Sequence, residues 1–338
     1  MKYYKMMFIM MIFISSMVSI SSNSWLMMWI GLEINLLSIM PIMKMDNNIM
    51  SSESSIKYFI TQSMASTVIL ASVVVMMWKF NHMSSMFNKQ NLNMMMNSSF
   101  LMKMGMSPFH FWFPEVMEGQ SWINCLMLLT WQKLTPMILF MINNSKMIFI
   151  SMVIASSMIV SGIMAMNQTS LRKIMTYSSI NHMGWIMSTM ILSKTTWMVY
   201  FTLYSMISMS LIVIFMKNKL NLMKQMFNKM NNSQMIKILF SMNFMSLMGL
   251  PPFLGFMPKW ISVQVMITNN MLMMAMFMLI LTMLMMFTYL RMTVQFMMIK
   301  WNTKNWKHNT NKNSMMNMMM MVTSLFSLPM TTMMFNMF

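Results

Sequence analysis

Four ionisable residues, Glu33, Lys103, Lys133 and Lys259, lie inside stretches that otherwise read as membrane-spanning helices. A charge at the centre of a bilayer costs at least ~2.5–3.5 kcal/mol, so the default reading of such residues is an ion or proton path. Burial disfavours the charged form of either type, and an opposite charge nearby restores it. A site that neighbours can bias either way is what a proton relay needs. His182 adds a group that titrates near neutral pH when unperturbed. It shares a helix face with Ser178, four residues before it, although a hydrogen-bonded structural histidine explains it equally well. Tyr58, Gln62 and Ser66, spaced by four, form another polar face. His110 is a weaker candidate and His308 reads as solvated. Glu115 and Glu118 read as surface acids or helix caps, and Lys237 and Arg291 lie near enough to helix ends to snorkel.

Two segments that hold these lysines are unlike the rest. One runs from Lys103 through Gly105, Pro108 and Pro114; the other carries Gly249, Pro251, Pro252, Gly255 and Pro258 before Lys259. Proline inside a helix removes a backbone hydrogen bond and clashes with the preceding turn. In lipid the freed carbonyls need a polar or wet lining. Two broken helices, each beside a buried lysine, are therefore expected near a transport path.

The elements that must position these residues follow from composition. Of 338 residues, 57% are hydrophobic and 8% charged, and apolar stretches of about twenty residues recur from end to end. The chain reads as a single all-α polytopic membrane domain, 1–338, with spans near 5–21, 24–43, 56–78, 92–116, 122–142, 147–166, 173–193, 196–216, 234–267, 271–298 and 316–337. The gaps 217–233 and 299–314 read as loops. Helices 1–5 (residues 5–142) and 6–10 (147–298) form two five-helix units, each broken at its fourth member. Five is odd, so the second unit starts on the opposite side of the membrane, the mark of an inverted repeat.

Charge sets the orientation. On the N-terminal side of these spans fall fourteen Lys and Arg residues, against Lys79, Lys89, Lys146 and Lys194 on the other. By the positive-inside rule the N terminus faces the cytosol-like compartment and the C terminus the opposite one. The net charge of +18 belongs to this asymmetry and does not call for nucleic acid. The 70 methionines read as A+T-rich codon bias and ordinary helix surface, which suggests an organelle genome and explains the want of an amphipathic targeting segment. A single cysteine, Cys125, excludes an internal disulfide, an iron–sulfur cluster or a zinc site built by this chain alone. Neither a dinucleotide-binding glycine motif nor a Walker A sequence is present.

Seven blocks carry a resemblance. Gly31–Ser38 (GLEINLLS), Ile56–Gln62 (IKYFITQ), Pro108–Glu115 (PFHFWFPE), Thr130–Lys133 (TWQK), Asn167–Lys173 (NQTSLRK), Ser178–Trp185 (SSINHMGW) and Gly249–Trp260 (GLPPFLGFMPKW) resemble the subunit 2 family of mitochondrial NADH:ubiquinone oxidoreductase, respiratory complex I, in its short animal, insect-like form. The resemblance runs from about residue 23 to 300. The usual bacterial members have fourteen helices; this chain resembles the forms that lack the first three, in keeping with a count of eleven.

The resemblance implies an antiporter-like, proton-pumping subunit of the membrane arm. It places Glu33 on the family's buried acid, Lys103, Lys133 and Lys259 on its three central lysines, and His182 on a histidine of the connecting polar axis. It implies that NADH, FMN, iron–sulfur clusters and ubiquinone belong to the rest of the complex and that this chain binds no cofactor and no metal. The implied partners are other membrane-arm subunits, including sister antiporter-like subunits, with lipids such as cardiolipin. The implied location is the mitochondrial inner membrane, N terminus in the matrix and C terminus in the intermembrane space. Two alternatives share these residues: a free-standing cation/proton antiporter and a purely structural membrane-arm subunit.

Overall fold

A computed structural model describes residues 2–44, 48–80, 86–143, 146–230, 234–251 and 253–298, with the backbone alone at residues 2, 79–80, 86–90, 227–230, 234–239 and 296–298. The expected last span, 316–337, lies outside the described residues, as do Pro252, His308 and the side chain of Lys237. The described residues are nearly all helical. They form no strand, only an isolated antiparallel bridge between Ser170 and Leu222. The chain divides into two compact units between Ser157 and Met158.

The first unit holds α1 (Lys2–Ser21), α2 (Trp25–Met43), α3 (Ile49–Phe80), α4 (Met86–Met104), α5 (Trp112–Gly119), α6 (Trp122–Leu129), α7 (Trp131–Ile142) and the start of α8 (Met147–Met166). α1 and α2 pack closely because Gly31 faces Ser19, where an added Cβ would lie 2.8 Å from the Ser19 Cβ. Small residues let backbones approach in this way. Ser15, Ser16 and Ser19 are buried, and each donates to the carbonyl three residues back. Their hydroxyls are thus satisfied without a partner helix.

The second unit holds the rest of α8, then α9 (Leu171–Leu192), α10 (Lys194–Lys217), α11 (Met223–Met230), α12 (Gln234–Met248), α13 (Phe256–Thr268) and α14 (Leu272–Met298). α9 is polar yet buried from Ile174 to Met190, because α10, α13 and α14 all pack against it. α11 falls where a loop was expected. The Gln225 side chain starts it, accepting from the backbone N–H groups of Asn221 and Leu222, as a glutamine at the third helical position does in a capping box.

Among the described residues seven helical stretches, one of them α6 and α7 taken together, are long and apolar enough to cross a membrane: Tyr3–Ser21, Trp25–Met43, Ile49–Trp78, Trp122–Ile142, Met147–Met166, Lys194–Lys217 and Leu272–Gln295. Their outer faces are apolar, with Met6, Leu37, Ile148 and Met273 among the exposed residues. Methionine also fills the interior, as at Met158, Met183 and Met187. Of the ten expected spans that fall within the described residues, the three missing from this set are the two broken ones and the polar α9. Those three carry Lys103, Lys259 and His182.

Both expected breaks are present and are built alike. α4 ends on Gly105 (φ 68°) and α12 on Gly249 (φ 78°). At each, the glycine N–H bonds three residues back and the next N–H five back: Gly105 to Met102 and Met106 to Leu101, Gly249 to Ser246 and Leu250 to Met245. This double bond pattern is the Schellman termination, which favours glycine at the left-handed position. After irregular stretches at 105–111 and at 249–251 and 253–255, α5 and α13 begin, each with proline third, Pro114 and Pro258. A proline there loses nothing, since the first N–H groups of a helix have no intrahelical partner.

The expected continuous helix 122–142 is interrupted as well, at Thr130 between α6 and α7. Pro136 lies in α7 and has no N–H to offer the Gln132 carbonyl. The Thr130 hydroxyl folds back onto the Leu126 carbonyl at 2.8 Å. A third irregularity thus sits three residues from Lys133.

Candidate functional site

In the first unit α2, α3, α4 and α7 bring Leu32, Asn35, Leu36, Tyr58, Gln62, Lys103, Gln132, Thr135 and Pro136 around a small cavity of about 20 Å³, room for roughly one water molecule. Lys103 enters it from the last turn of α4, 8% exposed. Gln62 donates to the Lys103 carbonyl at 3.3 Å, fixing the end of α4 against α3. Asn35 and Gln132 exchange two amide hydrogen bonds, 2.9 and 3.1 Å, which join α2 to α7 across the cavity wall. Glu33, two residues before Asn35, is half-buried. Among the described residues it forms no ion pair with Lys103 within 4.0 Å.

Lys133 is 2% exposed and its Nζ has no hydrogen-bond partner. Its neighbour is the face of the Phe113 ring, whose centroid lies 4.8 Å from Nζ. Phe113 sits in the first turn of α5, directly after the first break. His110, in the break itself, is buried with Nδ1 unpaired. Glu115 is not part of this buried group. It is exposed and pairs with Lys57 at 2.8 Å, which also holds Glu53 at 2.9 Å. Beside it, Gln120 donates to the Ser54 hydroxyl at 2.6 Å, so α5 and its C-terminal end are docked on α3.

In the second unit Lys259 lies in α13, just past the second break, and is 8% exposed. Its Nζ donates to the carbonyl of Met248, the last residue of α12, at 2.6 Å. The break is therefore bridged by the lysine itself. Gly249 and Gly255 make room: an added Cβ would meet Lys259 Cδ at 2.9 Å in the first case and run into the Ser246 carbonyl in the second.

His182 is buried in α9, with Nδ1 3.1 Å from the Tyr200 hydroxyl. Its ring lies 5.0 Å from that of Tyr204. Ser179 and Ser178 lie beside the hydroxyls of Tyr204 and Tyr289 respectively. Both serines already donate within α9, to Thr176 and Met175, and neither tyrosine hydroxyl reaches hydrogen-bond geometry. Asn243, fully buried in α12, has both side-chain polar atoms unpaired. Sequence reasoning did not single out Tyr200, Tyr204, Tyr289 or Asn243. The four-residue spacing of Tyr200 and Tyr204 was the available signal.

Ser66 is not at the cavity; its hydroxyl donates to the Ser63 carbonyl and its own carbonyl takes the Trp29 indole N–H. Arg291 is half-buried in α14. Among the described residues no group of three or more His, Cys, Asp or Glu side chains comes together to hold a metal ion.

These features define a polytopic helical membrane protein with interrupted helices and buried lysines at the interruptions. Residues 22–284 match the family model described as NADH:quinone oxidoreductase/Mrp antiporter, TM. NADH-ubiquinone oxidoreductase chain 2 of Anopheles gambiae is 41% identical over 323 residues, covering 95% of this chain and 94% of the mosquito protein. The chain of the same name from Locusta migratoria is 42% identical over 313 residues, 92% of this chain and 90% of the locust protein. Among solved structures, a chain of respiratory complex I from Thermus thermophilus with bound aureothin has the same fold, with a TM-score of 0.84 at 16% identity over 96% of this chain and 78% of that one. The chain belongs to the NADH:quinone oxidoreductase/Mrp antiporter membrane family.

Proposed function

We propose that the chain is a proton-translocating, antiporter-like core subunit of the membrane arm of NADH:ubiquinone oxidoreductase. The observation that carries this reading is the placement of Lys103 and Lys259 at the two helix breaks and of Lys133 beside a third, all three buried. Lysines placed there cost several kcal/mol that leucine would not. Glu33, Lys103 and Lys133 form the share of the relay held by residues 5–142, and His182 and Lys259 the share held by residues 147–298, the two stretches being inverted five-helix repeats. A change in the interaction between Glu33 and Lys103 alters the proton affinity of Lys103 and starts the transfer.

Each charge moved against ~100 mV needs about 2.3 kcal/mol. In this reading that work comes from NADH oxidation and quinone reduction in other subunits, which hold the FMN, the iron–sulfur clusters and the ubiquinone site, while this chain binds no cofactor. Sister antiporter-like subunits and lipids such as cardiolipin flank it in the mitochondrial inner membrane. The excess of Lys and Arg on one side supports an N terminus in the matrix and a C terminus in the intermembrane space.

The test is a native gel of the mildly solubilised membrane, stained for NADH dehydrogenase activity, with mass spectrometry of the stained band. The chain is expected in that band at one copy per complex. Migration alone, with cation flux after reconstitution, would instead mark a free-standing antiporter.

A further inference from the structure

We propose that Phe113 is a positioning residue for Lys133, holding it while it is an ammonium and releasing it when it becomes an amine. The inference rests on the relay reading and adds a residue to it. A buried ammonium without a hydrogen-bond acceptor needs some other source of negative potential. The Lys133 Nζ has no such acceptor, and what faces it at 4.8 Å is the ring of Phe113, itself 1% exposed. The face of an aromatic ring attracts a cation through its quadrupole, and the attraction grows when both partners are desolvated. A neutral amine carries no full charge and loses most of it. The contact is therefore specific to one protonation state of Lys133.

The position of Phe113 gives that specificity a consequence. The ring root is packed against the turn that ends α4, since an added Cβ at Gly105 would meet Phe113 Cβ and Cγ at 3.1 Å. Lys103 lies two residues before that glycine. Trp112, next to Phe113, donates its indole N–H to the Met102 carbonyl at 3.1 Å. One aromatic pair thus touches both the end of the helix that carries Lys103 and the side chain of Lys133. Loss of the Lys133 proton to the next carrier frees its side chain from α5, and gain of a proton draws it back. The state of one lysine is in this way felt at the break that holds the other.

The experiment compares Phe113→Leu, which keeps apolar bulk without a π face, with Phe113→Tyr, which keeps the face, and with Lys133→Met. Each is measured in the intact membrane-embedded complex as protons moved per NADH oxidised and as turnover, normalised to assembled complex on a native gel. Phe113→Leu is expected to lower proton-coupled turnover by about threefold to thirtyfold, while Phe113→Tyr retains at least half the wild-type rate. If the leucine complex does not assemble, Phe113→Met, which fills irregular gaps, takes its place with the same expectation. A leucine or methionine variant as active as the wild type overturns the proposal, and so does a loss with tyrosine as large as with leucine, which would mark shape rather than the ring. The Lys133→Met arm separates this from the relay itself. Full pumping in that variant sinks the relay reading, whereas loss there together with full activity in Phe113→Leu sinks only the role of the ring.

Discussion

Lys259 donates its ammonium hydrogen bond to the Met248 carbonyl from the far side of a helix break, at 2.6 Å. The carbonyl belongs to the last residue of α12 and the lysine to the first turns of α13, so one side chain both spans the interruption and sits where a proton carrier would be needed. Lys259→Met is expected to fail twice. The Met248 carbonyl loses its donor, a cost of about 1–3 kcal/mol for a buried acceptor, and the proposed relay loses a titratable group. The expected result is an assembled complex of lowered thermal stability whose proton pumping falls at least tenfold. Proton uptake in sealed vesicles and a thermal inactivation curve measure the two effects separately. Lowered stability with unchanged pumping would assign Lys259 to structure alone.

Gly105, Gly249 and Gly255 form a graded series. At Gly105 and Gly249 the left-handed backbone costs a non-glycine residue about 1–2 kcal/mol, and an added Cβ would meet Phe113 at 3.1 Å in one case and Lys259 Cδ at 2.9 Å in the other. At these distances the neighbours, which at Gly249 include the Gly255 carbonyl oxygen at 3.0 Å, need give by only a few tenths of an ångström. Gly255 is not left-handed, yet its Cβ would run into the Ser246 carbonyl oxygen, which cannot move without unwinding α12. Alanine substitution should therefore lower assembled complex most at Gly255, with only partial loss at Gly105 and Gly249. Band intensity on a native gel gives the order directly, and near-normal assembly of Gly255→Ala would contradict it.

The sequence makes the two breaks readable because glycine and proline act locally, through φ and a missing N–H, whatever surrounds them. Hydropathy places most of the described spans within a few residues for a similar reason: the bilayer imposes one length. The interruption at Thr130 is not readable in this way. A lone proline such as Pro136 in an apolar stretch is equally compatible with a kinked continuous helix, and Thr130, where the backbone leaves the helix at φ −112° and ψ −75°, is neither glycine nor proline. α11 was hidden because its cap comes from a glutamine side chain within a polar stretch. The burial of Lys103, Lys133 and Lys259, the candidate site residues, was legible by residue type, where charge and hydropathy conflict. The wiring of the candidate site was not, since Phe113 and Lys133, or Asn35 and Gln132, meet only through tertiary packing.

The exposed ion pairs around Lys57 supply a contrast. Lys57 and Glu115 lie 2.8 Å apart, but their side chains are 42% and 56% exposed. Pairs in such surroundings contribute little to stability and are screened by salt. Glu115→Gln is expected to leave pumping within about twofold of wild type and to shift thermal stability only slightly, with the shift shrinking as salt is raised. The same assay on Lys133→Met should show pumping reduced at least tenfold. Equal sensitivity of the two positions would mean that charge near the first break matters irrespective of burial.

Asn35 and Gln132 pose the sharpest test of how the cavity wall is held. Each amide gives the other one hydrogen bond and takes one back, at 2.9 and 3.1 Å, so neither needs a further partner on that edge. Removing one leaves the other with a donor and an acceptor facing an apolar or singly hydrated space, which costs about 1–3 kcal/mol. Replacing both by leucine removes that penalty and leaves only the change in shape. Asn35→Leu and Gln132→Leu are each expected to lower thermal stability, and the double variant to recover part of the loss, a coupling of the kind that a double-mutant cycle isolates. Activity should follow a different order. The pair lines the same cavity as Lys103, so the double variant, although restabilised, is expected to pump more slowly because it has lost polar lining beside the lysine. Thermal inactivation and proton uptake on the four complexes separate the two effects, and recovery of pumping in step with stability would show that the amides hold the helices without serving the proton.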